Sequence, residues 1–181
     1  MGWKLKKSVV MVGMMGAGKS AVGRATAQLL GVPFRDSDAE IESAANMSIA
    51  EIFARDGEDF FRLKERQVLA RLLEETPSIL STGGGAYMSE ENRRLISARG
   101  TALWLDADLD LLWSRVRHRD TRPLLRTPDP KGTLRDLYER RVPVYRLAEI
   151  PVRSLPGLSV QDMAEKVVGA LSTHADILEA A

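Results

Sequence analysis

Apolar positions along the chain alternate between short continuous runs and stretches of helical spacing. Val9-Val10-Met11-Val12, Ser78-Ile79-Leu80-Ser81-Thr82 and Thr101-Ala102-Leu103-Trp104-Leu105 have the length and composition of buried parallel strands. Phe34-Arg35-Asp36-Ser37-Asp38 reads as a further short strand. Ile150-Pro151-Val152-Arg153 reads as an edge strand, because proline cannot donate to a central ladder. Between these runs the period changes. Val22, Ala25 and Leu29 recur at i, i+3 and i+7, so a helix opens at about Lys19 and ends at Gly31-Val32-Pro33.

The spacing predicts more helices. One runs from about Ala39 to Ala45, and a second starts at the capping-box pattern Ser48-Ile49-Ala50-Glu51 and ends before Gly57. A long amphipathic helix spans Glu58 to Glu75, with Phe61, Val68 and Leu72 on one stripe and Leu69 and Leu73 beside it. Others cover about Ser89 to Ala98, Asp108 to Arg117 and Leu134 to Arg141. A further, final helix is capped by Ser159 and presents Val160, Met163, Ala164, Val167 and Leu171 on one face. The Pro-containing stretch from Arg119 to Gly132 reads as a mobile loop. Residues 1–7 and the tail from about Thr173 give no clear signal.

Strands alternating with helices imply an α/β fold with a mostly parallel sheet covered on both faces, and such sheets bind ligands beyond the carboxyl ends of their strands. The 181 residues fit a single domain. Net charge is only +1, from 26 basic and 25 acidic side chains, so no global field for nucleic acid is implied. The absence of cysteine excludes a disulfide scaffold and thiolate chemistry. Lys4, Lys6 and Lys7 before an apolar run imitate a secretory signal, but strand and loop explain the same residues. No apolar stretch reaches the ~18 residues of a membrane span. A cytoplasmic protein without a membrane partner is expected.

Gly13-Met14-Met15-Gly16-Ala17-Gly18-Lys19-Ser20 fits G-x-x-x-x-G-K-[ST], between an apolar strand and a helix. In that setting backbone N–H groups and the positive end of the helix face an anion. Lys19 then reaches the β- and γ-phosphates and the Ser20 hydroxyl ligates Mg²⁺.

Asp36 and Asp38 share one face of an extended segment, where one can hold Mg²⁺ through water while the other accepts a hydrogen bond from an attacking hydroxyl. The other reading is an Asp turn with Asp38 as a helix N-cap. Arg62 offers a fork for a carboxylate or phosphate, yet its spacing equally fits a solvated Arg paired with Glu58 or Glu65. Gly83-Gly84-Gly85 is either a loose turn or a place where substrate lies against backbone N–H groups. Arg-rich segments at 115–126 and 140–146 lack interleaved aromatics apart from Tyr145, which favours phosphate over nucleic acid as partner.

In order along the chain stand Gly13–Ser20, Asp36-Ser37-Asp38, Phe53 to Arg62 as F-x-x-x-G-E-x-x-F-R, Gly83-Gly84-Gly85, Arg122-Pro123-Leu124-Leu125 and Arg141-Val142-Pro143-Val144-Tyr145. This ordered set, spanning about Ser8 to Arg153, resembles the shikimate kinase family. The resemblance implies a three-layer P-loop kinase fold: a five-stranded parallel sheet flanked by helices, with a mobile lid at about 115–132. It implies ATP-dependent phosphorylation of the 3-hydroxyl of shikimate, within aromatic amino-acid (chorismate) biosynthesis, by a monomer using Mg²⁺.

The same resemblance distributes roles. ATP would be held by Gly13, Gly16, Ala17, Gly18, Lys19, Ser20, Ala21 and Arg122, with Arg115 stacked on adenine. Shikimate would be held by Asp38, Arg62, Gly83, Gly84, Gly85 and Arg141. Lys19, Asp38 and Arg122 would be catalytic, with Ser20 and Asp36 serving the metal. Arg153 is a weaker candidate on the adenine side. A gluconate kinase of similar fold and a nucleotide-gated binding module are the alternatives. Neither needs this whole ordered set.

Overall fold

The computed structural model describes residues 2–118 and 126–181. Its central sheet has five strands in the order β3-β4-β2-β5-β6: β2 (Ser8–Val12), β3 (Phe34–Asp36), β4 (Ile79–Ser81), β5 (Gly100–Asp106) and β6 (Ile150–Arg153). All four pairings are parallel. Every residue of β2 and all but the last of β5 are buried, so the period-two alternation is lost and both faces of the sheet are covered. β6 pairs only with β5, which puts Pro151 on an edge as expected.

The helices are α1 (Lys19–Leu30), α2 (Ser37–Ala45), α3 (Ile49–Glu74), α4 (Glu90–Arg99), α5 (Leu109–Val116), α6 (Pro130–Tyr145) and α7 (Val160–Ser172). Gly57, at φ 84° and ψ 174°, breaks α3 into the two helical runs expected from the sequence. Phe61, Val68, Leu69, Leu72 and Leu73 line its buried face. α1 packs on α7, α3 on α2 and α4, and α5 on α6. The order of strands reverses at β2, whose carboxyl end runs directly into the glycine-rich loop.

Several expectations are corrected. Leu29 is exposed, and the buried stripe of α1 is Val22, Gly23, Thr26, Ala27 and Leu30. β3 stops at Asp36, so Asp38 lies in the first turn of α2 rather than in an extended segment. The N-cap is Asp36, whose Oδ1 accepts from the amides of Asp38 (2.9 Å) and Ala39 (3.3 Å). α6 begins at Pro130, because Asp129 caps it and proline suits a first helical turn. The end of the anticipated loop is therefore helix. Val160 is half-exposed.

Both ends of the chain also carry structure. β1 (Trp3–Leu5) and β7 (Leu178–Ala180) form an antiparallel pair, with Leu5 opposite Leu178. Ion pairs Lys6–Glu179 (2.7 Å) and Lys7–Asp176 (3.2 Å) flank it. No described helix is long and apolar enough to cross a membrane.

Candidate active site

The loop after β2 curls through Gly13, Gly16 and Gly18, all at positive φ. Gly16 shows why a side chain is excluded: a Cβ there would sit 2.7 Å from Val116 on α5, at a φ of 84°. α2, α3, α4, α6 and α7 have a side chain capping the first turn. α1 and α5 have none, and α1 alone of these two carries no acidic residue in its first turn, a setting that suits an anion. The Lys19 ammonium donates to the carbonyls of Gly13 (2.7 Å) and Met14 (3.0 Å), which holds it at the mouth of the loop.

Residues 16–21 of the loop and first turn line a cleft of about 750 Å³. Asp38, Gly83 and Gly84 lie across it. Arg115 closes one side, donating to the carbonyls of Gly16 (3.0 Å) and Ala17 (3.4 Å). Burial lowers the affinity of its guanidinium for the proton.

Ser20 Oγ lies 3.4 Å from Asp36 Oδ2 and 3.2 Å from Ser81 Oγ. Asp36 thus divides its work. One oxygen caps α2 and the other points at the Ser20 hydroxyl. A hydroxyl and one carboxylate oxygen beside a phosphate loop fit Mg²⁺, which takes few protein ligands and keeps waters and phosphate oxygens. Among the described residues no cluster of three or more His, Asp or Glu forms a metal cage.

Asp38 is the most perturbed carboxylate of the site. Burial first, then the carboxylates of Asp36 and Glu65, push its pKa up to about 6, against the pull of Lys19. Its Oδ1 is buried and has no hydrogen-bond partner among the described residues. A Cβ on Gly83 would stand 3.1 Å from both Asp38 oxygens.

A second depression, of about 400 Å³, adjoins the first beyond the glycines and is lined by Arg62, Gly85, Arg140 and Arg141, among others. Arg62 Nη2 would be 2.5 Å from a Cβ on Gly85, and Arg141 Nη1 2.6 Å from one on Gly84. The pairing expected for Arg62 is present, and it leaves the guanidinium beside the glycines. Arg62 pairs with Glu65 (3.0 Å) and more loosely with Glu58 (3.6 Å), and it also faces the glycine loop. Burial raises the pKa of Glu65, and the Arg62 charge and hydrogen bond counter it.

The sequence-predicted residues thus meet at one end of the sheet, apart from Arg122, which lies outside the described residues together with 119–125 of the anticipated lid. Arg153 is committed elsewhere, to Asp106 (3.0 Å) and Asp108. The start of α7, through Leu158, Ser159, Val160 and Met163, lines the large cleft instead. The exposure of Val160 follows from that position. Ser159 as a cap signalled the helix start but not that it faces the loop.

The chain resembles known proteins along most of its length. A sequence model of the family described as shikimate kinase matches residues 15–172. The shikimate kinase of Ruegeria pomeroyi is 65% identical over 97% of this chain and 90% of its own length. That of Cereibacter sphaeroides is 64% identical over 97% and 88%. Among solved structures, the shikimate kinase of Acinetobacter baumannii in complex with shikimate superposes with a TM-score of 0.86 at 37% identity, covering 93% of this chain and 94% of that one. Matched from the phosphate loop to the last helix, the chain belongs to the shikimate kinase family.

Proposed function

We propose that this chain transfers the γ-phosphoryl group of ATP to the 3-hydroxyl of shikimate, giving shikimate 3-phosphate and ADP, a step of aromatic amino-acid biosynthesis through chorismate. The observation that carries the reading is the position of Asp38. Its buried, unpartnered carboxylate oxygen stands between the loop that bears Lys19 and the glycines backed by Arg62 and Arg141. An acceptor hydroxyl hydrogen-bonded to Asp38 would face a γ-phosphate on the loop.

In this reading the amides of the phosphate loop and first turn, from Gly13 through Ala21, hold the triphosphate. Lys19 follows the charge of the moving group, and Asp38 accepts the proton of the attacking hydroxyl. Arg62 and Arg141 hold the carboxylate of shikimate against Gly83, Gly84 and Gly85, where bidentate forks suit a planar anion. Ser20, with Asp36 through water, would hold Mg²⁺. When bound, that ion supplies charge neutralisation on the phosphate oxygens. Arg115 and the start of α7 flank the adenine side, and Arg122 is assigned to the transferring phosphoryl group from a lid at about 115–132. The reading takes the enzyme to be a cytoplasmic monomer acting on small molecules, with neither nucleic acid nor membrane as partner.

Incubating the protein with ATP, Mg²⁺ and shikimate and following ³¹P NMR tests the assignment. A single new phosphomonoester signal coupled to the proton on C3 is expected. Coupling to another ring proton, or no new signal, would contradict it.

A further inference from the structure

Every carbonyl from Gly83 to Met88 is engaged. Gly83 O accepts from the Ala86 amide (3.2 Å), Gly85 O from that of Met88 (3.1 Å), and Ala86 O from Asn92 Nδ2 (2.9 Å) and the Ser89 amide (3.4 Å). Arg93 Nη1 donates to both Tyr87 O (2.7 Å) and Met88 O (2.9 Å). These bonds come from the loop itself and from α4 with its cap. The remaining carbonyl, Gly84 O, accepts from the Tyr145 hydroxyl at 2.6 Å, and that bond alone in the set arrives from α6. The amides of Gly84 and Gly85, in contrast, donate to nothing among the described residues.

Tyr145 lines neither depression of the site. Its side chain is fully buried, and its ring stacks on Trp104 of β5 with centroids 6.3 Å apart. Burial pushes its hydroxyl up to about 12, which keeps it a protonated donor at working pH. Arg141 lies one turn earlier on the same face of α6 and packs over Gly84. A peptide unit is planar and trans, so its C=O and N–H point in opposite directions. With Gly84 O held by Tyr145, the Gly85 N–H is turned away from Tyr145.

We propose that Tyr145 is a positioning residue for the acceptor: its hydroxyl fixes the Gly84–Gly85 peptide so that the Gly85 N–H is presented to shikimate, and it keys that peptide to the helix carrying Arg141. The proposal rests on the reading that the glycine loop and Arg141 hold the acceptor. A hydroxyl serving only to stabilise the fold would leave acceptor kinetics untouched.

Tyr145→Phe keeps the ring and its stacking and removes the hydroxyl, with its bond to Gly84 O and its contact with Arg141. KM and Kd for shikimate should rise about tenfold, the ratio for about 1.4 kcal/mol, with the Kd of an ATP analogue changed by less than about twofold. An unchanged shikimate KM, with or without a lower melting temperature, would overturn the proposal, as would an equal loss for both substrates. Gly84→Ala, which must displace Arg141, is measured beside it. If that variant leaves shikimate binding intact, the acceptor reading itself fails. If it weakens binding while Tyr145→Phe does not, only the role of Tyr145 fails. Should Tyr145→Phe not fold, the wild-type protein decides by NMR. Adding shikimate must move the Gly85 amide proton downfield while the Gly84 carbonyl ¹³C shift stays that of a bonded group. A stationary Gly85 amide would overturn the proposal.

Discussion

Arg62 and Glu65, one turn apart on α3, meet through Arg62 Nη1 at 3.0 and 3.2 Å from the two carboxylate oxygens, with Glu65 only 1% exposed. The pair is therefore not an exposed surface bridge, and the proposed function gives Arg62 a second duty toward the acceptor. Arg62→Ala should lower kcat/KM for shikimate by about 30- to 4,000-fold, the range for truncating one side of a buried charge pair. It should also destabilise the protein by about 1–3 kcal/mol, because Glu65 loses its partner. Adding Glu65→Gln should recover stability and not activity. Steady-state kinetics and thermal unfolding of the single and double variants separate the two effects.

The raised pKa of Asp38 gives two signed expectations. A general base must be ionised, so kcat/KM should fall as pH drops through about 6, and Asp38→Asn should abolish that limb along with about 10²- to 10⁴-fold of kcat. For stability the sign is the reverse of a salt-bridged Asp. The unfolded chain ionises from its ordinary 3.8 while the folded one holds its proton to about 6. The folded state thus loses stability between those values and carries the full cost above them. Asp38→Asn should therefore raise the melting temperature at pH 8 and change it least below pH 4. A melting-temperature gain that is independent of pH would contradict the assignment.

Gly85→Ala should disturb the acceptor side while keeping Arg62 in the chain. The added Cβ meets the far end of a flexible arginine rather than backbone, including the Nη1 that donates to Glu65, so Arg62 must shift and its pair with Glu65 is loosened. Shikimate KM should rise about tenfold or more, while stability falls by no more than the roughly 1–3 kcal/mol expected for Arg62→Ala. A raised KM with a melting temperature between those of wild type and Arg62→Ala is the expected pair of results.

The paired chain ends should matter for stability alone. Leu178 is 1% exposed and lies opposite Leu5, away from both depressions of the site. Leu178→Ala should cost about 2–5 kcal/mol with both KM values unchanged. Chemical denaturation and kinetics at low temperature check this.

The sheet and most helices were legible because β2 and β5 carry continuous apolar runs, Ile79-Leu80 marks β4 before the glycines, and α3 keeps its period across two stripes. The phosphate loop was legible because its residue types sit at fixed spacing between strand and helix. β1 and β7 were not, since three-residue strands show no periodicity and their partners lie at opposite ends of the chain. Leu29 misled because an apolar residue is common on a solvated helix face. The extended reading of Asp36 and Asp38 failed for a related reason: an Asp that ends a strand also starts a helix, and spacing cannot show where one becomes the other. Glu65 reads as an ordinary helix carboxylate, and only the packing of α3 shows it buried beneath Arg62. Tyr145 stood in a recognised motif without a task, because its partner is a backbone carbonyl.

Coupled detection of ADP with shikimate, gluconate or no acceptor tests the central claim most directly. The account predicts rapid ADP formation with shikimate, little with gluconate and almost none without acceptor. It also predicts loss of the shikimate-dependent rate in a folded Lys19→Ala protein. Equal turnover with gluconate, ADP release that ignores the acceptor, or a Lys19→Ala protein as active as the wild type would contradict it.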